Sequence, residues 1–186
     1  MNKDLANPYL ELIIGPMFSG KTSKLIELYR QYTFCNVPIL VVNHSLDKRY
    51  DNEKLSTHDK TMIPCLSVTN LSDIMTPENI QKYSVILINE GQFFEDINET
   101  VRRLVEVHQK TVYVCGLDGD FQRKKFGGLL DLIPFADNII KLHSLCFNCK
   151  NGTKAPFTCR LSEETEQTVI GSDSYVPLCR KCYLTK

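Results

Sequence analysis

Near-continuous apolar runs recur along the first two thirds of the chain, separated by stretches in which apolar residues fall at helical spacing. Tyr9–Ile14 (YLELII), Val37–Val42 (VPILVV), Val85–Ile88 (VILI) and Thr111–Leu117 (TVYVCGL) each read as a strand buried on both faces, and Pro64–Val68 reads as a shorter one. Between them, Leu25, Leu28, Tyr29 and Tyr32 mark a helix within Lys24–Tyr32. Ile97, Val101, Leu104, Val105 and His108 mark another within Glu95–His108. Ser72–Lys82 predicts a short helix interrupted by Pro77. Strands alternating with helices predict an α/β fold with a parallel sheet covered on both faces. Ile139–Leu145 predicts a last strand. Beyond about Asn138 the pattern gives way to Cys, Gly, Thr and Pro, so we expect a main domain over 1–140 and a small appended lobe over 141–186.

Charge and cysteine content narrow the class. Lys plus Arg and Asp plus Glu number 22 each, so the formal net charge is zero. That argues against a nucleic-acid partner, which favours a basic face, but leaves room for a local phosphate pocket. The apolar run near the N-terminus is too short to span a bilayer and lacks the layout of a signal peptide, so no membrane partner is expected and the chain reads as cytoplasmic. Thiols stay reduced there, and the eight cysteines need an explanation other than disulfides.

Part of that explanation lies in their spacing. Cys146-x-x-Cys149 and Cys179-x-x-Cys182 form two close pairs with 29 residues between them. Four thiolates on two knuckles suit tetrahedral structural zinc, and a site closed by four cysteines leaves no open position for catalysis. The long segment between the knuckles has room for a functional loop. Cys35, Cys65, Cys115 and Cys159 have no partner at useful spacing; Cys115, inside an apolar strand, reads as a small core residue.

The segment Gly15-Pro16-Met17-Phe18-Ser19-Gly20-Lys21-Thr22 fits G-x-x-x-x-G-K-[ST] and sits after a predicted strand and before a predicted helix. Glycines let backbone N–H groups face phosphates, the helix N-terminus adds partial positive charge, Lys21 can reach the β- and γ-phosphates, and the Thr22 hydroxyl can ligate Mg²⁺. The motif says nucleotide binding without separating a kinase from an ATPase. The guanine-reading N-K-x-D pattern is absent from any suitable position, which disfavours a GTPase. The strand Val85–Ile88 ends in Asn89-Glu90-Gly91-Gln92. Ligands of open α/β sheets bind at the carboxyl ends of strands, so Glu90 is placed either to accept a proton from an attacking hydroxyl or simply to complement a helix dipole.

Taken in order, GPMFSGKT, EGQFF (Glu90–Phe94), FQRKKF (Phe121–Phe126) and the two C-x-x-C pairs resemble the cytosolic, zinc-containing thymidine kinase family, and the likeness runs from Leu10 to Tyr183. Asp47-Lys48-Arg49-Tyr50, Thr57–Asp59, Gly116–Gly119 and Val169–Gly171 add weaker echoes. The resemblance implies a RecA-like phosphate-loop (P-loop) domain with a zinc-ribbon lobe, and transfer of the ATP γ-phosphoryl to the 5′-hydroxyl of thymidine. Glu90 matches the catalytic base. Gly15–Thr22, with Asp47, Lys48, Arg49, Asn89, Gly91 and Gln92, match the ATP and Mg²⁺ side. Met17, Leu117, Phe121, Phe126, Thr158, Gln167, Thr168, Val169, Ile170, Gly171 and Tyr175 match the thymidine side, several of them in a substrate-enclosing lasso between the knuckles. A homotetramer in the cytoplasm, the host's if the chain is viral, is also implied. Asn89 stands where most members have an acidic residue, Lys125 where many have Pro, and Ile170–Asp173 is one residue shorter than the common stretch. On residues alone, a zinc-ribbon ATPase acting on nucleic acid and a ligand-binding relative without turnover stay open.

Overall fold

The computed structural model describes residues 7–46, 54–56, 62–168 and 174–186. Strand β1 (Tyr9–Ile14) leads through the glycine-rich segment into helix α1 (Lys21–Phe34), and β2 (Ile39–His44) follows. The expected single strand Pro64–Val68 is divided, because its two ends have different partners. β3 (Lys54–Ser56) pairs antiparallel with β4 (Met62–Pro64), whereas β5 (Leu66–Val68) joins β2 in parallel.

The region expected as one helix around Pro77 is also two pieces, a 3-10 turn at Leu71–Ile74 and α2 at Pro77–Lys82. Pro77 begins a helix rather than interrupting one: it occupies the first turn, where its missing N–H costs nothing, and Thr76 Oγ1 accepts from Asn79 N at 3.2 Å. β6 (Val85–Ile88) and α3 (Ile97–Arg102) come next, and α3 continues as a π-helical stretch over Arg103–Val107. There His108 N reaches back five residues to Arg103 O. β7 (Thr111–Gly116) and β8 (Asn138–Lys141) complete the main sheet.

That sheet has six strands in the order β5-β2-β6-β7-β1-β8, and every neighbouring pair is parallel. The alternation of side chains explains why its strands are apolar throughout. Leu10, Leu12, Ile86, Ile88, Val112 and Val114 pack with Ile97, Val101 and Leu104 on one face. Ile13, Val41, Leu87, Tyr113 and Cys115 pack with Leu25, Ile26 and Leu28 of α1 on the other. Each such side chain, fully buried, contributes about 1.5–3 kcal/mol. Glu11, the polar break in β1, is 7% exposed, and its Oε2 accepts from Tyr9 OH and Asn138 Nδ2, both at 2.8 Å.

The expected strand Ile139–Leu145 splits as well. Leu142 N still donates to Ile14 O, but β9 (Ser144–Leu145) has left the sheet to pair antiparallel with β10 (Lys154–Ala155). β11 (Phe157–Arg160) and β12 (Tyr175–Leu178) form a second antiparallel pair, and α4 (Arg180–Leu184) closes the lobe. No helix among the described residues is long and apolar enough to cross a membrane.

Candidate functional site

The glycine-rich segment turns at the carboxyl end of β1. Gly20 has φ 85°, a left-handed conformation that suits a residue without Cβ, and its carbonyl accepts the first α1 hydrogen bond from Lys24 N at 3.0 Å. Pro16 O gathers two donors, Ser19 Oγ at 2.8 Å and Lys21 Nζ at 2.6 Å, so the ammonium is drawn into the loop. Phe18 is exposed with φ 62°, and Met17 and Thr22 are half-buried. Met17 N donates to Thr158 Oγ1 of β11 at 2.9 Å, so the lobe reaches directly onto this loop.

Two strands away, β6 delivers the carboxylate. Glu90 has φ 54° and ψ 41°, a left-handed conformation for a residue with a full side chain. Such backbone costs on the order of 1–3 kcal/mol and persists only where its surroundings hold it. Here Gln92, 3% exposed, supplies part of that hold. Its Nε2 donates to Glu90 Oε2 at 2.6 Å, while its Oε1 accepts from Leu117 N at 3.0 Å. Gly116 leaves room for this arrangement, since a Cβ there would lie 2.6 Å from Gln92 Oε1. Asn89 is 2% exposed, and its Nδ2 donates to Asn43 Oδ1 at 2.9 Å, an amide pair between the ends of β6 and β2.

His44, also at the end of β2, is 3% exposed and contacts the Phe93 and Phe94 rings with centroids 5.6 and 4.7 Å away. Burial pushes its imidazole below the usual histidine range, against the opposite pull of a hydrogen bond to the Thr69 backbone and of the Glu90 and Asp96 charges.

The aromatic residues assemble beside this edge. Phe126, 8% exposed, meets Phe93 edge-to-face with centroids 5.4 Å apart. Phe121 is half-buried and Leu117 partly buried. Tyr183 OH of α4 donates to Phe121 O at 2.6 Å, and Gln167 Nε2 donates to Asp120 Oδ2 at 2.8 Å. Tyr175 lies at the start of β12, 9% exposed, and Thr168 is exposed. Asp47, Lys48, Arg49, Val169, Ile170 and Gly171 lie outside the described residues.

Three side chains not singled out by sequence patterns belong to the same region: Asn43, Asp120 and Arg160. The residue string offers no periodic signal for Asn43 or Arg160, because their partners are distant in sequence. Asp120, immediately after Asp118-Gly119, carries a turn signature: its Oδ1 accepts from Gln122 N at 2.8 Å and Lys124 N at 2.9 Å. A cavity of about 510 Å³ lined by Tyr9, Tyr32, Val37 and Tyr113 among others contains none of the motif residues.

At the far end of the lobe, the Sγ atoms of Cys146, Cys149, Cys179 and Cys182 all lie within 4.8 Å of one another. Cys149 Sγ is 3.8 Å from Cys179 Sγ and 3.6 Å from Cys182 Sγ. A tetrahedral zinc with Zn–S near ~2.3 Å requires sulfurs about 3.8 Å apart, so the set fits that ion. Burial pushes the Cys146 thiol up, but backbone N–H groups of Cys179, Cys149 and Asn148 outweigh it and bring it down to about 6. Cys182 is pushed up to about 12, first by its hydrogen bonds with Cys149 and Cys179. Four sulfurs this close cannot all ionise unaided, and a divalent cation bound among them would supply the missing counter-charge.

A wholly parallel six-stranded sheet with its motifs along one edge, and a cysteine-built lobe leaning on that edge, define the class as an α/β protein with a metal-type C-terminal module. A family model described as thymidine kinase matches residues 8–183. The chain is 44% identical over 177 residues to the thymidine kinase of vaccinia virus (strain Western Reserve), an overlap of 95% of this chain and 97% of that protein. The thymidine kinases of monkeypox virus and of variola virus (isolate Human/India/Ind3/1967) align with the same identity and coverage. The chain belongs to the thymidine kinase family, and its chemistry is that of a phosphoryl transferase.

Proposed function

We propose that this protein transfers the γ-phosphoryl of ATP to the 5′-hydroxyl of thymidine, giving dTMP and ADP. The observation that carries the reading is the arrangement at the end of β6. Glu90 is held in a left-handed conformation, with its carboxylate hydrogen-bonded by a buried glutamine whose other end meets the Leu117 amide. A carboxylate fixed this way suits a general base: it orients the 5′-hydroxyl and accepts its proton while the O5′–P bond forms and the bond from the γ-phosphorus to the bridging oxygen of ADP breaks.

Gly15, Pro16, Met17, Phe18, Ser19, Gly20, Lys21 and Thr22 form the phosphate cradle in this reading, with Asp47, Lys48, Arg49, Asn89, Gly91 and Gln92 beside it. Lys21 would leave Pro16 O for the more negative phosphates. Thr22 would hold Mg²⁺, whose charge, when bound, offsets that of the transferring group. Met17, Leu117, Phe121, Phe126, Thr158, Gln167, Thr168, Val169, Ile170, Gly171 and Tyr175 would enclose the nucleoside. The four cysteines would bind a structural zinc that fixes both ends of the enclosing loop. The working form is a cytoplasmic homotetramer.

Incubation with ATP, Mg²⁺ and each of the four deoxynucleosides tests the reading. Thymidine should give its monophosphate and ADP in equal amounts. Absence of any nucleoside monophosphate from zinc-replete protein would overturn it.

A further inference from the structure

Arg160 is the last residue of β11 and only 2% exposed, and it takes part in no ion pair with a carboxylate among the described residues. A buried guanidinium is costly unless its donors and its charge are met. Here they are met by dipoles and rings. Nε and Nη2 donate to Tyr175 OH at 3.2 and 2.7 Å. Nη1 donates to Glu164 O at 2.9 Å and Glu166 O at 2.5 Å, and Nη2 to Gln167 O at 3.1 Å. The guanidinium carbon lies 3.7 Å from the centroid of the Phe121 ring. Gln167 in turn donates to Asp120, whose own carboxylate shapes the turn that carries Phe121.

We infer that Arg160 is a positioning residue for the nucleoside. One planar cation holds the loop segment Glu164–Gln167, the Tyr175 phenol and the Phe121 ring in fixed relation, so the enclosing loop is set before the nucleoside arrives. The inference rests on the nucleoside site proposed above and adds the residue that organises it. Fork geometry explains the choice of side chain. Three backbone carbonyls and a phenol oxygen surround a plane that five N–H donors can serve at once, whereas an ammonium directs three donors from one point.

The test uses the full, zinc-loaded chain with Arg160→Met and Arg160→Lys. In the Met variant the KM for thymidine should rise by about tenfold or more, the effect of losing several charge-assisted hydrogen bonds, while the KM for ATP stays within about twofold. Zinc content should be unchanged. A glutamate-specific protease should cut after Glu163, Glu164 and Glu166 faster than in the parent. Arg160→Lys should fall between the two and remains usable if the Met variant does not fold. Unchanged thymidine KM and unchanged cleavage in the Met variant would overturn the inference. So would a parallel loss of zinc and of ATP affinity, which would make Arg160 a support of the lobe as a whole. If the parent itself turns over no thymidine, the functional reading fails, and the cleavage rates still decide whether Arg160 fastens the loop.

Discussion

The two parts of the chain are held together by different means. The sheet domain has a continuous apolar layer on each face, with Leu10, Leu12, Ile88, Ile97, Leu104 and Val112 fully buried on one side and Ile13, Leu25 and Leu87 on the other. The buried cluster of the lobe is Cys146, Ala155, Cys159, Val176, Leu178 and Cys179, with Cys149, Cys182 and Tyr183 packed against it. Five of these nine residues are cysteines. A module this small buries too little apolar surface to stand alone, and a metal held by its four thiols, as proposed above, would supply what the core does not. Yet the side chains proposed to enclose the nucleoside hang largely from the lobe, and those proposed for the phosphates from the sheet edge. On those proposed assignments, substrate selection and phosphoryl chemistry would depend on separate sources of rigidity, joined by a few contacts such as Met17 N to Thr158 Oγ1 and Tyr183 OH to Phe121 O.

The contrast is sharpest where chemistry can be removed without disturbing either core. Glu90→Gln should lower turnover by about 10²- to 10⁴-fold, the range for loss of a general base. The melting temperature should barely move, because the new amide oxygen can still accept from Gln92. Turnover within a fewfold of the parent would show that Glu90 is not the base. The next largest effect should come from the other module. Cys149→Ser, or removal of the metal with a chelator, should weaken thymidine binding by about an order of magnitude or more while ATP binding and the helical circular dichroism of the sheet domain are largely kept. Equal losses for both ligands would erase the distinction between the two regions, as would metal analysis finding much less than one zinc per chain.

Smaller effects probe the sheet edge itself. Asn89→Asp should lower the Mg²⁺ concentration for half-maximal activity a fewfold, since Mg²⁺ favours charged oxygen ligands. Asn43 can turn its amide to donate to the new carboxylate. A Mg²⁺ titration at fixed ATP decides it, and an unchanged or higher requirement would remove this position from the metal's surroundings.

Acid should act through His44. Its pKa is lowered in the folded state, so its contribution is present above the ordinary value of about 6.5 and is lost as pH falls toward the folded one. The melting temperature should drop by a few degrees more between about pH 7 and about pH 5 in the parent than in His44→Gln. Parallel slopes for the two proteins would locate the acid sensitivity elsewhere.

The central strands were legible because each is covered on both faces and so reads as an apolar run. β6, at Val85–Ile88, falls where the pattern places it. The parts that were not legible depend on partners rather than on periodicity. Pro64–Val68 is a single apolar stretch in the residue string, but Cys65 separates one strand committed to Lys54–Ser56 from another committed to β2. Ile139–Leu145 is likewise shared between two sheets. The π-helical second half of Glu95–His108 keeps a helical pattern of apolar residues, which does not report the hydrogen-bond register. At the site, the loop glycines, the strand-end Glu90 and the cysteine pairs announce themselves by spacing. The seating of Gln92 between Glu90 and Leu117, and of Arg160 among carbonyls, arises only when distant segments meet.

The backbone at Glu90 has a consequence for anyone who alters this protein. A left-handed φ of 54° is the kind of position at which glycine relieves torsion that every other residue must endure, and Glu90→Gly should be more stable than Glu90→Ala by about 1 kcal/mol. A library sorted on heat resistance alone would therefore favour the one replacement that removes the carboxylate together with the strain. With Glu90 as the proposed base, selection for durability and selection for turnover would pull in opposite directions at a single dihedral angle, and a screen that ignores catalysis would converge on a sturdy, silent protein.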